Sequence, residues 1–182
     1  MRIIIVGCGR VGARTAAELD QRGEHVTVID TDQRAFNRLP STFGGVTVRG
    51  SGGDEDVQRS AGAEMCDLLM ALTEGDNRNA MAAQLGKHVF GIPRVIAKIN
   101  DPVRAEAYAD LGIATLCRTN MMADAVNAFL GLPVSGGSGI LAPTGSHPGG
   151  EDHHEPITEA ATTTGATSSP PSNPPVASPR EA

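Results

Sequence analysis

Tryptophan is missing from this 182-residue chain and tyrosine occurs once. That tyrosine, Tyr108, stands in a helical stretch with no lysine four residues on, so a Tyr–Lys proton-relay pair is excluded. Cysteine is scarce too: Cys8, Cys66 and Cys117 are odd in number and far apart, which fits reduced thiols and excludes a disulfide framework or a zinc site. Positive charge is thin, with a formal net of −6, so there is no basic stripe to attract nucleic acid and little pull toward anionic lipid. Nor does any apolar stretch approach the roughly 20 residues of a membrane-spanning helix, and the amino terminus enters a strand with no signal-peptide pattern. These absences predict a cytoplasmic protein that neither inserts in a membrane nor binds nucleic acid. The remainder, 40% hydrophobic and 20% charged, is ordinary for a compact domain.

Composition changes abruptly after Gly131. Nine of the twelve prolines lie beyond it, with many Ser, Thr and Gly, no aromatic residue, and Arg180 as the sole cation. Such a segment buries too little apolar surface to offset its chain entropy. The expected division is therefore a folded domain over 1–131 and a Pro/Gly/Ser/Thr-rich disordered tail over 132–182. His147, His153 and His154, set among Glu151, Asp152 and Glu155, could hold a metal only weakly, and solvated low complexity is the reading preferred for them.

Up to residue 131 short β-branched runs alternate with helical periodicity, which predicts a doubly wound, Rossmann-like parallel sheet of six strands with helices on both faces. The strands are read at about 2–6, 25–30, 45–49, 67–72, 94–99 and 113–117. Helices are read at about 10–22, 32–39, 54–62, 75–90, 101–112 and 119–130. Gly23 suits a helix C-terminus, and Asp101-Pro102 pairs an N-cap with a proline in the first turn. The last helix carries Met122, Ala125, Val126, Phe129 and Leu130 at i, i+3, i+4, i+7, i+8, a stripe that either covers the sheet's own edge or meets a second subunit.

Chemistry concentrates at Gly7-Cys8-Gly9-Arg10-Val11-Gly12, directly after the apolar run Ile3–Val6, with Asp30 closing the next strand 18 positions past the third glycine. That is the spacing of a dinucleotide-binding βαβ unit. The first glycine permits a tight turn, the second lets backbone N–H groups approach a pyrophosphate, and the third lets helix and strand pack closely. The helix start adds partial positive charge and free donors. Asp30, with Thr31 beside it, can accept hydrogen bonds from ribose hydroxyls and would repel a 2′-phosphate, so NAD(H) or another adenine nucleotide is expected over NADP(H). Cys8, inside the loop, reads as a small filler.

Three further segments accompany this loop: Ala71-Leu72-Thr73 followed by Asp76-Asn77; Phe90 to Pro102, containing Arg94-Val95-Ile96-Ala97-Lys98-Ile99-Asn100-Asp101; and Leu111-Gly112-Ile113. Over about residues 1–131 the combination resembles the TrkA N-terminal domain, also called KTN or RCK, of bacterial potassium-transport regulators. The resemblance implies a non-enzymatic regulatory subunit that senses NAD(H) or ATP/ADP and gates a membrane potassium translocator, working from the inner face of the membrane in a homodimer or ring of RCK-type subunits. It implies that Gly7, Gly9 and Gly12 form the phosphate loop and Asp30 holds the ribose. Arg10 would reach phosphate charge, with Val11 beside it. Ala71, Leu72, Thr73, Asn77 and Lys98 would line or flank the cleft.

Two departures stand out. Where the family shows Gly-Asp-Gly or Gly-Asp-Ala, this chain reads Gly50-Ser51-Gly52, so a hydroxyl replaces a carboxylate near the adenine. Many members also continue into a TrkA C-terminal domain or a repeated N-terminal one, whereas residues past 131 have the composition of a tail. Two alternatives stay open: an NAD-dependent oxidoreductase, which would need a substrate domain that 132–182 cannot build, and a non-sensing assembly partner of a complete regulator.

Overall fold

A computed structural model of the chain describes residues 1–134 and 140–141. The expected tail and its histidines lie otherwise outside the described residues. Strands β1 (Arg2–Val6), β2 (His25–Asp30), β3 (Val46–Arg49), β4 (Leu68–Ala71), β5 (Arg94–Lys98) and β6 (Ala114–Leu116) are joined by parallel pairing in the order β3-β2-β1-β4-β5-β6. Helices α1 (Arg10–Gln21), α2 (Glu55–Ser60), α3 (Asp76–His88), α4 (Pro102–Asp110) and α5 (Arg118–Phe129) follow β1, β3, β4, β5 and β6. The six-stranded doubly wound sheet read from the periodicity is the fold observed.

β1 shows why these residues build that sheet. Its side chains alternate between faces, Ile3 and Ile5 packing on one side with Ala13 and Ala16 of α1, Ile4 and Val6 on the other with Ala80, Ala82 and Ala83 of α3. A strand buried on both faces must be apolar throughout, and the alanine-rich helix faces let the helices sit close to it. The helix ends follow local chemistry. Gly23, at φ +81°, ends α1 while its N–H and that of Glu24 donate to Asp20 and Leu19, and Asp101 accepts from Val103 N and Arg104 N at the start of α4.

Three details depart from the periodicity reading. The helix expected at 32–39 is a 3-10 turn, Gln33–Arg38, capped by Asp32, because Leu39-Pro40 stops it within two turns. The helix expected at 54–62 ends at Ser60, where Gly62 at φ +90° turns the chain into a second 3-10 turn, Ala63–Met65. A seventh strand, β7 (Ile140–Leu141), pairs antiparallel with Thr115 and Leu116 of β6, within a stretch read as unstructured. An open sheet edge leaves backbone N–H and C=O groups for any apolar dipeptide that reaches it, and two residues carry no period to read.

Candidate functional site

The order β3-β2-β1-β4 makes β1 the strand from which the chain winds first one way and then the other, and a doubly wound fold opens its crevice beyond the carboxyl ends at that point. Here the crevice is a cleft of about 230 Å³, open at its mouth and close to the lower end of the ~300–1,000 Å³ usual for small-molecule sites. Register puts its parts level. Val6 pairs with Ile29 on one side and Ala71 on the other, so Gly7, Asp30 and Leu72 all emerge one residue later at the same edge.

The three glycines of the loop differ in their surroundings. Gly7 turns at φ +104° and donates to the Ile29 carbonyl at 2.7 Å; a β-carbon there would stand 2.9 Å from Thr73 N. At Gly12 a β-carbon would come within 1.9 Å of the Gly7 carbonyl oxygen, so the third glycine lets α1 touch the loop. Gly9 differs, because a β-carbon there would meet nothing within 4 Å and would project into open space. Gly9 also supplies no side-chain cap to α1, so the first-turn N–H groups are left for a ligand or water.

Asp30 is fixed rather than free. Its Oδ2 accepts from Cys8 N at 2.7 Å and its Oδ1 from Asp32 N at 2.9 Å, tying the carboxylate to the glycine-rich loop and to the turn that follows β2. A carboxylate oxygen has two lone pairs, so each oxygen keeps one for a vicinal diol. Cys8 beneath it is fully buried, and burial, then the Asp30 charge, push its thiol up to about 11 against the opposing pull of Arg38. A thiol so placed is a packing group.

Across the cleft, Asn79 organises the end of β4. This buried side chain accepts from Thr73 N at 2.8 Å and Thr73 Oγ1 at 2.7 Å, and donates to the carbonyls of Thr73 at 3.0 Å and Lys98 at 2.8 Å, joining β4, β5 and α3. Lys98 is buried, and its Nζ lies 3.7 Å from Glu74 Oε2 at the cleft wall. Beyond the end of β3, Gln58 of α2 donates to Gly52 O at 2.6 Å and to Ala82 O at 2.9 Å, clasping the β3–α2 loop to α3. Gly52 lies so close over Val6 that a β-carbon would stand 2.2 Å from Val6 Cγ1.

Of the residues singled out from sequence, Gly7, Gly9, Asp30, Thr31, Ser51, Leu72 and Thr73 line this cleft together. Arg10 and Val11 are exposed on the first turn of α1, and Gly12 and Ala71 are buried behind the lining. Asn77 turns away, accepting from Arg104 Nη2 at 2.6 Å. Sequence reasoning passed over Asn79, Gln58, Arg78 and Met81. The helical period of α3 sets residues 78 and 81 on one face and 79 on another, but only the sheet says which face meets the cleft.

Fold and site together define a Rossmann-type α/β domain with a glycine-rich loop and a strand-end carboxylate at its switch point. The model of the TrkA-N domain matches residues 3–119. The chain belongs to the TrkA-N domain family. A Trk system potassium uptake protein TrkA from Streptomyces coelicolor is 47% identical over 124 residues, covering 68% of this chain and 56% of that protein. One of the same name from Halomonas elongata is 39% identical over 108 residues, covering 59% of this chain and 23% of that protein. The chain thus spans about half or less of the relatives it matches. Among solved structures, the TrkA-N domain of the Escherichia coli inner membrane protein ybaL superposes with TM-score 0.64 at 18% identity, over 71% of this chain and 96% of that one. GsuK bound to ADP gives TM-score 0.59 at 22% identity, over 70% and 33% of the two chains. The GsuK channel bound to NAD gives 0.56 at 20% identity, over 66% and 22%.

Proposed function

We propose that this chain is a nucleotide-binding regulatory subunit of a potassium-transport system, sensing NAD(H) or ATP/ADP in the cleft above β1 and passing its occupancy to a membrane translocator. The observation that carries the reading is the pairing of an open approach at Gly9 with a fixed Asp30 carboxylate that has one lone pair free on each oxygen. This arrangement fits an adenosine diphosphate moiety: ribose over β2, pyrophosphate at the start of α1. The relatives' names point to potassium uptake, and solved structures of similar fold, GsuK bound to ADP and the GsuK channel bound to NAD, support an adenine nucleotide as the ligand. Gly7, Gly9, Arg10, Val11 and Gly12 would form the phosphate side, and Asp30, Thr31 and Ser51 the adenosine side. Leu72 and Thr73 would wall the cleft, with Ala71 and Lys98 behind them, while Asn77 is turned away to Arg104.

The action is binding and not catalysis: ligand occupancy shifts a conformational equilibrium to which the translocator responds. α5 suits the contact with another subunit. None of its residues is buried, and Met122, Val126, Phe129 and Leu130 are exposed, Phe129 by 89%. That stripe does not cover the sheet's own edge, so we assign it to a homodimer or ring of RCK-type subunits. No helix among the described residues is long and apolar enough to cross a membrane, which accords with a peripheral, cytoplasmic place beside the translocator.

Calorimetric titration with ADP and NADH tests the site. Wild type binds, and Asp30→Ala loses roughly tenfold or more in affinity, as expected for removing hydrogen bonds to a charged acceptor. Unchanged affinity in Asp30→Ala would end the ribose assignment.

A further inference from the structure

Arg78 stands in the first turn of α3 and lines the cleft with Met81, one turn further along the same helix face. Its guanidinium folds back over Gly75, where a β-carbon would stand 3.0 Å from Nε and 3.3 Å from Nη2, so the glycine leaves room for the cation at the mouth of the crevice. Met81 Sδ lies 3.0 Å from the corresponding position at Gly53, so Met81 meets the β3–α2 loop, while Arg78 stands a turn nearer the start of α3 and the end of β4.

The charges of the cleft are unevenly matched. Asp30 already accepts from two backbone N–H groups, and Glu74 lies 3.7 Å from Lys98. Arg78 makes no hydrogen bond or ion pair with the described residues. Strand order then gives the cation a place along a ligand. Asp30 ends β2, the glycine loop follows β1, and Arg78 follows β4, in the spatial sequence β2-β1-β4. A nucleotide whose ribose is held at Asp30 sets its first phosphate at the glycine loop and carries any further phosphate toward Arg78.

We propose that Arg78 is a specificity-determining residue that recognises phosphate beyond the first, so that the cleft selects adenine nucleotides carrying at least a diphosphate over those ending at the monophosphate. This rests on the nucleotide-binding reading above and adds a residue to it. A guanidinium presents a planar fork of donors matched to phosphate oxygens, and its charge makes such contacts stronger than those of neutral donors. Arg78 is solvent-exposed, so replacing it leaves the core intact.

The test is calorimetric titration of the full chain with AMP and with ADP, in wild type, Arg78→Ala and Arg78→Lys. Arg78→Ala should lower ADP affinity about tenfold while AMP affinity stays within about twofold, with Arg78→Lys between the two, as expected when one charge-assisted contact is lost. The ADP affinity of Arg78→Ala should also fall less steeply with added salt. An unchanged ratio of ADP to AMP affinity, whether both hold or both fall together, overturns the role of Arg78 and leaves the cleft reading standing. Wild type that binds neither nucleotide overturns both.

Discussion

Among the glycines of the loop, position decides the consequence of one added methyl. At Gly12 it would meet the Gly7 carbonyl at 1.9 Å and force α1 off the loop, so Gly12→Ala should destabilise by on the order of 3 kcal/mol in a urea melt. At Gly9, where φ is −77° and the space is open, Gly9→Ala should leave stability within about 1 kcal/mol yet weaken ADP binding in calorimetry, because the methyl occupies the ligand's approach. Equal stability losses in the two variants would refute that division. Cys8 gives a pH test. Its thiol is raised from 9.0 to about 11 by burial and by Asp30, so between those values the unfolded chain has lost its proton while the native one keeps it. Stability should therefore fall as pH rises from 9 to 11, and Cys8→Ser should flatten that fall in denaturation curves. At pH 8 on the order of one thiol in a thousand is thiolate, and alkylation of the native protein, followed by mass spectrometry, should spare Cys8.

At the scale of elements, α1 and α3 begin on either side of the switch point, and their N-termini frame the cleft. Asn79 makes the α3 end rigid, since four hydrogen bonds from one buried amide fix the carboxyl ends of β4 and β5 against it. α5 is built the opposite way, with an apolar stripe and no buried residue. Phe129→Ser should shift the protein toward monomer in analytical ultracentrifugation while changing domain stability by less than about 0.5 kcal/mol, because an 89% exposed ring contributes little within its own chain. A wild-type protein that sediments as a monomer at every concentration would remove the subunit-contact role.

For the whole molecule, the proposal is that binding energy goes into conformation. A ligand that binds only the native state stabilises it by about 2.7 kcal/mol at one hundred times its Kd, so ADP or NADH should raise the melting temperature by roughly 5 °C or more for a domain of this size. No hydride transfer should accompany it across a panel of alcohols and hydroxy acids. Turnover of NADH would favour the oxidoreductase alternative, and a melting curve indifferent to every adenine nucleotide would favour the non-sensing assembly partner.

What the residues determined without any tertiary information was local or periodic: the apolar strands, the Gly7–Gly12 loop before a helix, Asp30 at the end of β2, the cap at Asp101 and the turn at Gly23. Each of these acts within a few positions of itself, or through a spacing that only one fold satisfies. The tertiary structure alone decided which face of α3 meets the cleft, and so brought Arg78 and Met81 to it and sent Asn77 to Arg104. It also decided that Gln58 reaches the loop carrying Ser51, and that β7 completes an edge 24 residues after β6 ends. These are contacts across the sheet, fixed by packing between segments distant along the chain, and no local pattern encodes them.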